Sequence, residues 1–378
     1  MKKILIFYGS YGGGHLSAAR SIKDYIENNY SDTEILMVDC MEYISKTINK
    51  VTTKAYADMA KNAKWAWGKI YYASSKGPIL KITSDAQKLL AFKLKKLFQE
   101  FNPDLIISTH PFSSQMCAYL KNKHKISVKI ATILTDYAPH VQWFMYPDQV
   151  NYFFVAHEGM KKALISEGIS ENKIFATGIP LSNRFLLHYN KEQILSEFNL
   201  SPDKKTILFF AGGEYGFGKD RTFDILKILI NSFPSLQIIA IAGRNKKMKE
   251  NFEELVEETN SSETVKVLPY TNKVPELMSA ADLVITKPGG LTTTESLASG
   301  LPIIVINPIP GQEEENAEFL EEHNVGIWLK KNDNIEEKLF DIFNNSEVLQ
   351  KMKVNARLLA KKNSTADICK ILLDDKNE

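Results

Sequence analysis

The chain is poor in the features that mark several protein classes. It has three cysteines in 378 residues, Cys40, Cys117 and Cys369, far apart and in no C-x-x-C spacing. That usage disfavours a disulfide framework or a zinc site and points to a reducing, cytosolic compartment. No stretch approaches the run of apolar residues that a bilayer-spanning helix needs. The opening MKKILIFYGS places lysines before an apolar run, but residues 4–8 are too short for a signal-peptide core and glycines follow at once. They read as a first buried strand. Net charge is only +2, so the whole molecule is not a polyanion binder and nucleic acid is not an expected partner. D-x-D is absent, so a metal clamp on a diphosphate lacks its usual ligands. No low-complexity linker or short-period repeat divides the chain.

What is present fits a soluble globular protein, with 44% apolar and 24% charged residues. At 378 residues the chain exceeds a usual single domain, so two are expected. Apolar runs of strand length alternate with helical patterns: KILIFY, EILMV, DLIIS (104–108), VKIATILT (128–135) and NYFFV (151–155). Near-continuous apolar runs mark parallel strands buried on both faces, and hence a doubly wound sheet. A second series follows: TILFFA (206–211), QIIAIAG (237–243), VKVLP (265–269), DLVIT (282–286), PIIVI (302–306) and GIWL (326–329). The Gly-, Pro- and Asn-bearing stretch 177–190 separates the two. The expected organisation is residues 1–180, residues 181–355 and a helical tail, 356–378.

Residues 285–316, ITKPGGLTTTESLASGLPIIVINPIPGQEEEN, carry the densest signal. A strand stops at a Lys-Pro-Gly-Gly turn, a helix opens around Glu295, and a second strand leads to Gln312, Glu313 and Asn316. Two strand ends and one helix start converge on a rim suited to phosphate and sugar hydroxyls. The same layout also serves an ordinary βαβ connection. In the first half, Gly12, Gly13, Gly14 and His15 follow strand one directly. They do not match G-x-G-x-x-G, although Asp39 occupies the place of a ribose-binding acid in a dinucleotide fold. His15 at a strand-to-helix turn suits proton abstraction from an alcohol, and Asp136, at the end of another inner strand, suits orienting it, acting as the base, or capping a helix. In the second half, G-x-x-x-x-G-K from Gly213 lacks the P-loop hydroxyl, because Asp220 stands in its place. A kinase or ATPase is disfavoured; a phosphate-wrapping turn remains. Phosphate charge then falls to backbone amides, helix dipoles and side chains such as Arg184, Arg244 or Lys287.

Residues 41–100 stand apart, with twelve Lys, four acids and eight aromatics. Trp65, Trp67, Tyr71 and Tyr72 interleave with lysines, a pattern that suits an anionic membrane surface and equally suits a helical insertion with aromatic core residues.

Two Rossmann-like halves with phosphate-type loops in the second resemble GT-B glycosyltransferases, an α/β class with two doubly wound parallel-sheet domains facing a central cleft. The match sharpens at GGGHLSAA (12–19), TDY (135–137), TGIP (177–180), GGEYGFG (212–218), ITKPGGLTTTE (285–295) and PGQEEEN (310–316). Together these resemble the monogalactosyldiacylglycerol synthases and processive diacylglycerol β-glucosyltransferases, related to MurG in glycosyltransferase family 28. The resemblance implies transfer of a hexose from a UDP-hexose to diacylglycerol with inversion, with no cofactor or metal, at the inner face of the cell membrane. Carried onto this sequence, His15 deprotonates the acceptor beside Asp136, with Gly13, Gly14 and the aromatic segment on the acceptor and membrane side. Gly213 and Glu214 lie at the diphosphate, and Gly289, Gly290, Leu291 and Thr292 meet phosphate at the helix start. Glu295 holds ribose, residues 268–271 with Tyr270 flank uracil, and Gln312, Glu313 and Asn316 face the hexose. Family members often carry Arg two residues after the Pro of TGIP; here that position is Ser182, and Arg184 is the substitute candidate. The details of PGQEEEN and KPGG lean toward the bacterial glucosyl branch. A galactosyl donor, a MurG-like GlcNAc transferase, a UDP-sugar epimerase, a soluble small-molecule transferase and a non-enzymatic UDP-sugar sensor are the alternatives.

Overall fold

The computed structural model describes residues 1–73, 85, 88–211 and 219–374. Two compact units appear, one formed by Met1–Asn183, Pro310–Gln312 and Lys361–Glu378, the other by Arg184–Ile309 and Glu313–Ala360.

The first unit holds a six-stranded sheet: β1 (Lys2–Tyr8), β2 (Thr33–Asp39), β3 (Leu105–Ser108), β4 (Lys129–Ile133), β5 (Tyr152–Phe154) and β6 (Ile174–Phe175). Its order is β2-β1-β3-β4-β5-β6, and every pairing is parallel. Ile6 pairs with Met37 on one side and Ile107 on the other, which fixes the register at the centre. One sheet face, with Ile4, Ile6, Ile107, Ile133 and Phe154, packs under Ala19, Ile22 and Ile26 of the helix Gly13–Asn29. Of the stripe Leu90, Leu94, Leu97 and Phe101, whose three-to-four spacing predicts a core-facing helix, the last three are buried and Leu90 is half-buried, and Phe92–Leu94 winds as a 3-10 turn before the helix Lys95–Phe101.

The last helix, Ser364–Leu373, belongs to this first unit, and Ile368 and Leu372 join its core. Hydrogen bonds hold it to the TGIP segment: Ser364 Oγ donates to Ile179 O (2.7 Å), Thr365 Oγ1 donates to Leu181 O (2.7 Å) and accepts from Leu181 N–H (2.8 Å). Gly178 is required there twice over. Its φ is +94°, and a Cβ would stand 2.4 Å from Lys361 Cβ.

The second sheet comprises β7 (Thr206–Phe210), β8 (Gln237–Gly243), β9 (Val265–Pro269), β10 (Leu283–Thr286), β11 (Ile303–Val305) and β12 (Gly326–Trp328). It is again all parallel, in the order β12-β11-β10-β7-β8-β9. Phe209, Ile238, Ile285 and Ile304 pack against Leu226, Leu229 and Phe252 of the flanking helices. Both halves are therefore doubly wound α/β sheets, as the two series of apolar runs predict. All three cysteines are buried free thiols. No helix among the described residues is long and apolar enough to cross a membrane.

Each strand order reverses once, between β1 and β3 in the first sheet and between β7 and β10 in the second. At such a point the connections leave in opposite directions, and a crevice opens at the carboxyl ends of the strands. GGGH follows β1 at the first of these places, and the Lys-Pro-Gly-Gly turn follows β10 at the second.

Candidate active site

The first rim is built by the loops after β1, β3 and β4. Gly9 lies against the His110 ring, where a Cβ would approach Cδ2 to 2.7 Å, and Gly12 turns the chain with φ +85° into the helix that carries His15. Gly13 is different: neither a positive φ nor any neighbour within 4 Å of a Cβ requires glycine there. Backbone is left open to an approaching ligand.

His15 Nδ1 stands 2.6 Å from Thr109 O and 3.0 Å from Thr135 Oγ1. A carbonyl only accepts, so Nδ1 carries the hydrogen and the neutral ring keeps its lone pair on Nε2. Thr109 binds the residue a second time, its hydroxyl donating to His15 O (2.9 Å). Around the imidazole stand the His110 ring, edge-on at 4.6 Å, and Trp143 at 6.2 Å. His110 accepts Phe112 N–H at Nδ1 (3.2 Å), capping the helix Pro111–Asn122, and stacks on Tyr11 at 5.2 Å. Burial pushes the His15 pKa down to about 4, with the Thr109 carbonyl opposing the shift. His110 is held well below the ordinary histidine range by burial and by its neighbour His15. At neutral pH His15 is therefore an uncharged base. Asp136 follows Thr135 by one residue at the same carboxyl edge and is half-buried. Asp39 is occupied locally, accepting from Ser10 Oγ and from Glu42 N–H at the start of the next helix.

The second rim is built by the loops after β10 and β11. The helix Gly290–Ala298 starts at Gly289 with no side-chain cap, and its first internal bond runs from Thr293 N–H to Gly289 O (2.8 Å). The N–H groups of Gly290, Leu291 and Thr292 thus lie outside the helical ladder, at the positive end of the dipole. Its start lies five residues ahead of Glu295, earlier than the sequence reading placed it. Glu295 is half-buried, and desolvation raises its carboxyl to about 8. Lys287 Nζ pairs with Glu313 Oε1 (3.0 Å), and Glu313 Oε2 accepts Ile309 N–H (2.7 Å). Asn316, fully buried, donates from Nδ2 to Pro288 O (2.8 Å). Glu313 and Asn316 thereby brace the Lys-Pro-Gly-Gly turn, and Gln312 opens their helix, Gln312–Glu322, half-buried.

Tyr270 lies beyond β9, three strands from β10, with Arg244 over its ring at 5.0 Å. Arg184 is paired elsewhere, NH2 meeting both oxygens of Glu276 at 2.8 and 3.1 Å. Gly213 and Glu214, with the rest of GGEYGFG, lie outside the described residues, as does part of the aromatic segment beyond Ala73. Within that segment Trp65 and Tyr72 are exposed, Lys69 Nζ lies 5.2 Å over the Trp65 ring, and Trp67 is half-buried. Tyr71 turns inward against the His140 ring at 4.3 Å.

Sequence reasoning quoted Thr135 only as part of the TDY motif, with no role of its own, and passed over Thr109, His110 and Trp143. Position was a signal for two of these: Thr109 and His110 directly follow the apolar run DLIIS.

Two doubly wound parallel sheets with glycine-bearing loops at their switch points form the GT-B fold. Over 99% of this chain and 100% of that one, the fold matches MurG of Acinetobacter baumannii with TM-score 0.66 at 14% identity. The Staphylococcus aureus MnaA–UDP structure matches with TM-score 0.63 at 13% identity, covering 100% and 98%. Residues 15–181 match the Monogalactosyldiacylglycerol (MGDG) synthase family, and residues 209–371 match the Glycosyltransferase family 28 C-terminal domain. The processive diacylglycerol beta-glucosyltransferase of Staphylococcus epidermidis is 32% identical over 99% of this chain and 93% of its own. That of Staphylococcus aureus is 34% identical over the same shares. The chain belongs to this family of glycolipid-forming glycosyltransferases.

Proposed function

We propose that the protein transfers glucose from UDP-glucose to the free hydroxyl of diacylglycerol, with inversion at the anomeric carbon. Full-length kinship to named diacylglycerol glucosyltransferases supports the substrates. The observation that carries the mechanism is His15, neutral, with its hydrogen fixed on Nδ1 and its lone pair on Nε2.

In this reading the acceptor hydroxyl gives its proton to His15 Nε2 as its oxygen attacks the anomeric carbon. The new C–O bond forms as the bond to the β-phosphate oxygen breaks, and that oxygen leaves with the electron pair. The diphosphate's charge, in bound donor and leaving group alike, is met by the uncapped N–H groups of Gly290, Leu291 and Thr292, with Lys287, paired to Glu313, at the turn beside them. No enzyme nucleophile takes part, and no metal is assigned. Asp136 borders the base, and Glu295, Tyr270, Gln312, Glu313 and Asn316 are assigned to the donor side, the last two as braces of the turn. Arg184, whose guanidinium pairs with Glu276, stays a donor-side candidate and is given no step.

The acceptor resides in a membrane, and exposed Trp65 and Tyr72 beside Lys69 suit the headgroup region of an anionic leaflet. Peripheral attachment at the inner face of the cell membrane follows from this reading. Incubation with diacylglycerol vesicles and UDP-glucose, UDP-galactose or UDP-GlcNAc in turn, with mass spectrometry and NMR of the lipids, tests the proposal. β-Glucosyl diacylglycerol is the expected product; galactolipid alone, or donor binding without turnover, overturns it.

A further inference from the structure

Histidine bases are commonly oriented by a carboxylate on the ring nitrogen remote from the substrate, and Asp136 is the carboxylate nearest in sequence to the His15 pocket wall. The atoms at Nδ1 are different ones: Thr109 O at 2.6 Å and Thr135 Oγ1 at 3.0 Å. We propose that Thr135 is the positioning residue of His15, sharing the Nδ1 hydrogen with the Thr109 carbonyl in place of a carboxylate. The inference rests on the reading of His15 as the base.

The geometry supports this in three ways. Thr135 is nearly fully buried two residues past the end of β4, directly after Leu134, whose N–H continues the ladder to Phe154 O (2.9 Å). A β-branched side chain there has little rotamer freedom, so its hydroxyl is a fixed acceptor. Thr109 is tied to both partners of the rim, its amide and hydroxyl reaching Phe7 O and its hydroxyl also reaching His15 O. The ring is thus held from its backbone, its Nδ1 and its flanks.

The chemical consequence is specific. A carboxylate at Nδ1 would favour the imidazolium and keep the buried ring charged to higher pH. Two neutral oxygens hold the same tautomer without doing so. When Nε2 takes the acceptor's proton, the shared Nδ1–H becomes a charge-assisted donor, and both bonds strengthen as the transition state is approached. Besides Asp136, which follows Thr135 in the chain, the titratable neighbours are His110, edge-on to the ring, and Tyr11 behind it. His110 uses Nδ1 as a helix cap, so protonation of that atom would break the cap.

The test uses full-length protein with diacylglycerol vesicles and UDP-glucose. Thr135→Val keeps the shape and removes the oxygen. It is expected to lower kcat roughly ten- to a hundredfold with the donor KM unchanged, and Thr135→Ser is expected to restore most of it. Thr135→Asp should move the acid limb of kcat/KM up by roughly one pH unit or more, while Asp136→Asn leaves the limb in place whatever its height. Retained UDP binding and an unchanged melting profile establish folding of each variant. Wild-type kcat in Thr135→Val, or a limb displaced in Asp136→Asn, overturns the proposal. Wild-type transfer by His15→Ala would instead remove the base reading itself, which separates the two failures.

Discussion

The two rims occupy the same topological position on two similar sheets and are furnished in opposite ways. The first is lined with rings: Tyr11, His15, His110 and Trp143, packed so closely that both imidazoles stay neutral. The second is lined with backbone amides, a lysine and acids, cross-braced through Glu313 and Asn316. Desolvation acts in both, but on groups of opposite charge type. It lowers a histidine to about 4 and raises the Glu295 carboxyl to about 8, so each is uncharged at neutral pH. A shared fold therefore supplies only the crevice. The side chains divide the labour, with proton chemistry on one rim and phosphate and hydroxyl recognition on the other.

That division breaks if removal of the base weakens the donor. His15→Ala should cost about 10²- to 10⁴-fold in kcat, while UDP affinity, measured by calorimetry, stays within about twofold. Breaking the second rim should do the reverse. Glu313→Gln leaves Lys287 without its carboxylate partner and loosens the turn; we expect the donor KM to rise about tenfold and stability to fall by roughly 1–3 kcal/mol in urea unfolding. Glu295 gives a contrast in pH. Between about pH 4.5 and 8 the unfolded chain releases a proton that the folded rim retains, so stability declines as pH rises through that window. Glu295→Gln should remove that slope and gain on the order of 2 kcal/mol near pH 8, after allowance for its solvent access. His15 has the opposite sign: its neutral form is favoured on folding, so stability is lost as pH falls from about 6.5 through 4. The smallest effect is expected at Gly13→Ala. Stability should change by no more than about 0.5 kcal/mol, because no neighbour meets the new Cβ, while the acceptor KM rises.

The fold was legible because parallel strands leave short apolar runs, and eleven of the twelve strands among the described residues announce themselves this way. The exception, Ile174–Phe175, is too short to have a pattern. The helix after the Lys-Pro-Gly-Gly turn starts at Gly290 with Gly289 as its N-cap and no capping side chain, so the residue types that usually announce a helix start are missing there. The final helix gives no hint of its partner, since Ser364 and Thr365 meet Ile179 and Leu181 across more than 180 residues. The same distance in sequence hides the surroundings of His15. Thr109 and Thr135 lie 94 and 120 residues away, and only the order of β1, β3 and β4 makes them neighbours. Motifs marked where chemistry sits, whereas strand order determines what surrounds it.

The most direct test of this account measures two constants on two variants. Single-turnover glucosyl transfer to diacylglycerol and the UDP dissociation constant are determined for His15→Ala and Glu313→Gln beside the wild type. The account predicts that His15→Ala loses the rate constant and keeps the affinity, while Glu313→Gln loses affinity and retains the rate constant at saturating donor within a few-fold. Equal losses of both constants in either variant would contradict it.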